Sequence, residues 1–308
     1  MNAKVNGGDS PIIVGPVTNP LAVAAGQHID GLFRFGCGYA RLAKDGRHAW
    51  VMDLYQRKAI LTGKALACDI PKCPQVDSVV RVKGQIIGSD GGVFLWVREL
   101  APEIGVSTDV CALDLATPSW VVDQGTVDAL SGIWSTLSPP YRELINAVLS
   151  DAVVLKGFLQ APGSVRHHDA VSGGCVYHTV RAAKMAVAVA ELTPELDRNM
   201  LVAGAILHDI GKSIEYRQND YGRWAMSRFG KRVGHKVGGA LIVGTAAREC
   251  QLLSSEQLED LLNLITCSYA ELWAGYRLPA TAEADALSAI DRLCADRVSP
   301  RLKPHRYH

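Results

Sequence analysis

The chain of 308 residues has no cysteine pair at CxxC spacing: its eight cysteines are scattered, and the closest two, Cys68 and Cys73, flank "DIPK". That spacing argues against a zinc ribbon or a disulfide framework and makes reduced thiols in a cytoplasm the expectation. No apolar run reaches the roughly 18 residues a spanning helix needs, so no membrane partner is expected. The start, "MNAKVNGGDSPIIVGPVTNPLAVAAGQ", has no positive segment followed by a clean apolar stretch, and is not expected to be a signal peptide. Charge of one sign is also missing. A net charge of +1 gives no field around the whole molecule, so a polyanion would have to meet local basic patches. Internal repeats and low-complexity tracts are absent as well. What remains is 48% hydrophobic, enough for two cores, which excludes wholesale disorder.

An extended Gly/Pro-rich arm is expected over residues 1–26. From 27 to 105 the pattern is β. "LFRFGCGYARLAKDGRHAWVMDLY" gives two alternating runs around "KDGR", and "KAILTGKAL", "SVVRVKGQII" and "GVFLWVREL" supply further strands. About five short strands with glycine punctuation fit a small barrel of the OB type, although an SH3-like barrel or a sandwich would look similar. Residues 106–130 carry Asp109, Asp114, Asp123 and Asp128 without Lys or Arg, and read as a linker. From 131 to 300 the period is helical, with a tail over 301–308. In "CVYHTVRAAKMAVAVAEL" the apolar residues surround the helix almost completely. "TPELDRNMLVAGAILHDIGK" is expected to start with Thr193 as N-cap and Pro194 in the first turn. The fold class is α+β: a small β-barrel followed by an all-α domain.

Polar residues on the apolar helices carry the chemistry. His178 lies in the first buried helix, His208 and Asp209 at the end of the next, and Asp291 in "ALSAIDRL". An unpartnered buried carboxylate costs several kcal/mol, and an imidazole loses its water hydrogen bonds. Grouping all four around one divalent cation removes that cost. Imidazole nitrogen with carboxylate oxygen suits manganese foremost, with iron, cobalt, zinc, nickel or magnesium as alternatives. Gly211 is expected to let the chain turn away and open space for substrate. A lone histidine would more simply be a hydrogen-bonded core residue; the ordered set is what points to a metal.

In the β segment Phe33, Phe35 and Tyr39 fall at even spacing on one strand, so they are expected to share a face, and Trp50 lies on another strand. Such rings stack on bases in OB barrels, at about 1–3 kcal/mol each, or else fill the barrel core. "RFGKRVGHK" adds Arg228, Lys231, Arg232 and Lys236, either a phosphate-holding cluster or a solvated loop.

The ordered set resembles the signature H…HD…D of the HD-domain metal-dependent phosphohydrolase superfamily. More closely the chain is similar to YhaM-type 3′-5′ exoribonucleases, which join an OB fold to an HD domain. The most specific stretch is "LINAVLSDAVVLKGFLQAPGSVRHHDAVSGGCVYHTVRAAKMA". The resemblance implies that His178, His208, Asp209 and Asp291 hold a first metal and that Asp209 bridges to a second. It implies further that His235 helps hold that second ion, that Lys212 faces a substrate phosphate, and that His167 and His168 line the pocket. Where the family has His-His-Gly, this chain reads "LITCSYAEL", so a second-metal histidine is replaced near Ser268. Three functions follow as alternatives: a 3′-5′ exonuclease on single-stranded RNA or DNA, a nucleotide or cyclic-nucleotide phosphohydrolase, and a nucleic-acid-binding protein with a one-metal HD domain. One or two ions per chain and a homo-oligomer are compatible with each.

Overall fold

The computed structural model describes residues 12–14, 23–42, 45–70, 72–89, 92–103, 110–164, 170–269 and 275–296. They divide into two compact units, 1–105 with 114–118, and 106–113 with 119–308.

In the first unit a short strand β1 (Ile12–Val14) pairs in parallel with β2 (His28–Leu42). β3 (His48–Gln56), β4 (Ala59–Leu66), β5 (Val79–Ser89) and β6 (Gly92–Pro102) follow. The order β2-β3-β4-β6-β5 closes on itself, because β5 also pairs with β2. β4 meets β6 in parallel through Gly63 and Lys64, while the other barrel pairings are antiparallel. A closed five-stranded barrel in this order is the OB arrangement, which a sandwich cannot reproduce. Its core holds Phe33, Leu54, Val80, Val82, Ile86 and Leu95, all with no exposed surface.

A bulge decides which β2 aromatics face inward. Phe35 pairs with Leu54 and Gly38 with Met52, so two residues of β2, Gly36 and Cys37, oppose Asp53 alone. The extra residue shifts the alternation by one. Phe33 and Phe35 are buried before the bulge, and Tyr39 turns outward after it, 58% exposed. The three therefore do not share a face.

The second unit opens with α1 (Gln124–Ser135), α2 (Pro139–Ser150), α3 (Ala152–Gln160), α4 (Gly174–Leu192) and α5 (Arg198–Leu207). Next come a single turn α6 (Lys212–Glu215), the two-stranded β7 (Tyr216–Gln218) and β8 (Trp224–Met226), and α7 (Arg228–Arg232). α8 (His235–Cys250), α9 (Ser255–Thr266) and α10 (Ala282–Asp296) complete it. The β7–β8 hairpin makes this unit less than all-α.

Capping chemistry moves two expected boundaries. α5 begins after Asp197, not Thr193, because the Asp197 carboxylate accepts from the amides of Asn199 and Met200 at 2.8 and 3.0 Å. Asp123 likewise accepts from the Thr126 amide at 2.7 Å and starts α1 inside the segment that reads as a linker. Asp114, in the same segment, pairs with the buried Arg57 at 2.5 Å. Two of the aspartates that gave the segment its linker character are thus a helix cap and an ion-pair partner. Among the described residues, no helix is long and apolar enough to cross a membrane.

Candidate metal centre

Three helices of the second unit bring the ligand candidates together. His178 sits near the start of α4, where Val176, Val180 and Ala182 are buried with it. His208 caps the C-terminus of α5, and Asp291 lies on α10. The His178 Nε2 is 3.2 Å from His208 Nε2 and 3.0 Å from Asp291 Oδ1. Asp209 Oδ2 is 3.3 Å from His208 Nε2 and 3.7 Å from His178 Nε2. Two ligands about 2.1 Å from one ion, at angles of roughly 90–110°, lie about 3.0–3.4 Å apart. The His178–His208, His178–Asp291 and Asp209–His208 separations match that spacing, while Asp209–His178 and His208–Asp291, both 3.7 Å, correspond to a wider angle at the ion. Donor atoms of His178, His208 and Asp291 all lie within 4.8 Å of one another. His208 Nδ1 lies 2.9 Å from the Ala205 carbonyl, so its N–H is committed there and Nε2 faces the cluster.

The electrostatics agree. Burial alone would lower the His208 pKa, but the Asp209 carboxylate beside it prevails and lifts it to about 9. Burial would raise Asp209, yet Lys212 and His208 hold it well below the usual carboxylate range. Asp291 is likewise lowered, burial being overcome by its hydrogen bond to His178.

Asp209 reaches two ways. Oδ2 faces the cluster and Oδ1 lies 3.8 Å from His235 Nε2, which suits a carboxylate shared between two ions. His235 is aimed by a residue that sequence reasoning missed. The carboxylate of Glu215 accepts from both the His235 amide and, at 3.1 Å, its Nδ1, so Nε2 is presented to Asp209. Glu215 is 4% exposed, and despite burial the His235 contacts hold its pKa below the usual value. Its only sequence signal is an acid six positions beyond the aspartate, in "HDIGKSIE".

Gly211 has a different role from the one expected. Its φ and ψ are −65° and −17°, ordinary helical values, so no turn requires glycine there. A β-carbon at this position would fall 1.9 Å from the His235 carbonyl oxygen and 2.5 Å from the Gly239 nitrogen. Glycine is needed so that α8 can lie against the turn after Asp209, which is what brings His235 to the site.

A cavity of about 170 Å³ opens on the cluster, lined by His208, Asp209, His235, Lys236, Asp291 and Arg292 on one part and Cys267, Ser268 and Tyr269 on another. Arg292, next to the ligand Asp291, is a second residue that pattern alone did not single out. Lys212 is not among the lining residues. Its ammonium is buried 2.6 Å from Asp209 Oδ2, a carboxylate partner in place of the expected phosphate. His167 and His168 lie outside the described residues. Lys236 Nζ donates to the Cys267 carbonyl at 2.8 Å, and Arg232 is exposed on α7.

Residues 175–296 match the HD domain. The matched stretch contains all four clustered donors and His235, and an HD domain implies a divalent cation. The barrel aligns with the second OB-fold domain of replication protein A from Methanococcus maripaludis at 12% identity, covering 31% of this chain and 93% of that one, with a TM-score of 0.22. Assignment of the barrel rests on its strand order.

Two of the expected base-stacking rings fail in the barrel. Phe33 and Phe35 are 0% and 1% exposed, inside the core, where no base can reach them. Trp50 is half-buried against the core, with its indole N–H donated to the Ile70 carbonyl at 3.0 Å. Tyr39 alone of the four is free to stack.

Proposed function

We propose that the chain is a divalent-cation-dependent phosphodiester hydrolase that removes nucleotides from the 3′ end of single-stranded RNA or DNA. The observation that carries this reading is the cluster of His178, His208 and Asp291, with Asp209 Oδ2 3.3 Å from His208 Nε2, beside a cavity lined by His208, Asp209, Asp291, Arg292 and Lys236. When bound, a cation supplies Lewis acidity at a phosphoryl oxygen and a water of lowered pKa. The two imidazoles and the two carboxylates hold and orient it. Lys212 keeps Asp209 ionised and fixes its rotamer, and Glu215 does the same for the His235 tautomer. Arg292 and Lys236, at the cavity wall, offset the charge that grows on the phosphoryl oxygens. Manganese is the expected ion.

The test is manganese-supplemented digestion of end-labelled single-stranded RNA and DNA beside Asp209→Ala. A ladder that shortens stepwise from the 3′ end in the wild type and vanishes in the variant supports the proposal; intact substrate with both proteins removes it. Cys267 and Ser268 favour a second reading, a nucleic-acid-binding protein that keeps one cation and little catalysis. Serine is a poor ligand, and burial raises the Cys267 thiol pKa. One tightly held ion per chain, with oligonucleotide binding and no cleavage, would select it.

A further inference from the structure

Between the cation site and α8 the chain makes an excursion that the hydrolytic chemistry does not use. Residues 216–234 contain five basic side chains, Arg217, Arg223, Arg228, Lys231 and Arg232, against one acid, Asp220. All five are exposed and make no ion pair among the described residues. In the barrel Arg47, Arg81 and Lys83 each hold a carboxylate, at 2.6, 2.8 and 2.9 Å, while Arg41 and Arg98 are exposed without one among the described residues. Five exposed cations without an ion pair among the described residues thus fall within sixteen positions, on the β7–β8 hairpin and α7.

The hairpin is built rather than slack. The Asn219 side chain accepts from the amides of Tyr221 and Arg223 at 3.0 and 2.9 Å, while its backbone pairs with Arg223 and Gly222. Gly222 takes a φ of +72°, which closes the turn. At the root, the Ser227 amide donates to the Glu215 carbonyl and its hydroxyl to the Ile214 carbonyl, both at 2.8 Å. The Trp224 indole N–H donates to Ser172 Oγ at 2.9 Å, tying β8 to the body of the domain. This frame holds Tyr221 at the tip, 88% exposed, with Arg217 and Arg223 exposed beside it. A preorganised exposed ring on a hairpin that also carries two guanidinium groups with no ion pair among the described residues matches the two demands of single-strand binding, a flat surface for a base and cations for the backbone. The chain then runs through α7 to His235 and Lys236, which line the cavity.

We infer that the β7–β8 hairpin is the surface on which this chain holds single-stranded nucleic acid, with Tyr221 stacking on a base and Arg217 and Arg223 meeting phosphates. That the polyanion is a nucleic acid rests on the hydrolase reading above; the location of the surface does not. Fluorescence anisotropy with labelled oligouridylate and oligothymidylate of about 20 nucleotides, in EDTA so that no hydrolysis intervenes, tests it on the full chain. Tyr221→Ala is expected to weaken binding about fivefold or more, and Arg217→Ala/Arg223→Ala to make the log-log salt dependence shallower by about 1.4. Both variants should unfold at the wild-type temperature. Arg47→Ala/Lys83→Ala, which removes two barrel cations, is expected to bind as the wild type does. Equal binding by wild type and hairpin variants, or equal losses in the hairpin and barrel variants, overturns the inference. So does a wild-type protein that ignores both oligonucleotides but binds anionic phospholipid vesicles. Because no cleavage is read, failure of the hydrolase proposal shows separately, as intact substrate in manganese.

Discussion

Gly211→Ala sets two effects of opposite sign against each other. The backbone there is helical, and a Gly→Ala change in an unstrained helical conformation stabilises by about 0.4–1 kcal/mol through the unfolded chain. Against this, the new β-carbon would lie 1.9 Å from the His235 carbonyl oxygen, whereas ordinary contact begins at 3.4 Å. Relieving it requires α8 to move by about 1.5 Å, and overpacking of that kind costs about 1–3 kcal/mol. The obstacle is backbone on both sides, the His235 carbonyl and the Gly239 nitrogen, so no side-chain rotation relieves it. Destabilisation should win, by about 1–2 kcal/mol net. His235, the first residue of α8, moves with the helix away from Asp209, so manganese affinity should also fall, about 10- to 100-fold. Denaturant unfolding of the full chain and calorimetric titration with manganese measure the two effects. A Gly211→Ala protein that is as stable as the wild type and binds manganese as tightly would refute the reasoning.

Two further outcomes follow from the same site. Asp209→Asn should destabilise the cation-free protein by about 3–5 kcal/mol, because Lys212 is left charged and buried without its partner; Asp209→Asn/Lys212→Met should recover much of that loss in the same unfolding assay, and no recovery would show that Lys212 has another partner. In the cation-free protein His208 is raised from 6.5 to about 9, so its stabilising contribution is full below pH 6.5 and is lost as pH rises through 9. Cation binding must displace that proton. Manganese affinity should therefore climb about tenfold per pH unit up to pH 9, with one proton released per ion, read by calorimetry in buffers of different ionisation enthalpy.

How much of this was legible in the sequence varies with the distance over which each feature is decided. His178, His208, Asp209 and Asp291 could be grouped because polar residues on apolar helices need partners; in the structure donor atoms of His178, His208 and Asp291 lie within 4.8 Å of one another, and Asp209 Oδ2 is 3.3 Å from His208 Nε2. Barrel strands were legible from alternation, since a period of two follows from local geometry. What failed is non-local. The bulge opposite Asp53 inserts one residue into β2, and no pattern along β2 alone reveals it, so Phe35 and Tyr39 were put on one face. Lys212 was read as pointing toward substrate, whereas its direction is set by the carboxylate three residues earlier. Glu215 and the role of Gly211 depend on where α8 lands, a packing outcome that the local spacing does not encode.

Lys212 has a consequence for how the site acquires its ion. With its ammonium 2.6 Å from Asp209, Lys212 supplies a counter-charge from within the protein, so the neutralisation of that carboxylate does not depend on a cation. On the proposed reading, the domain would exchange its cation as a folded body, unlike small zinc modules whose folding is the binding event. The ion it takes up would then be set by supply in its surroundings as much as by the imidazole and carboxylate donors.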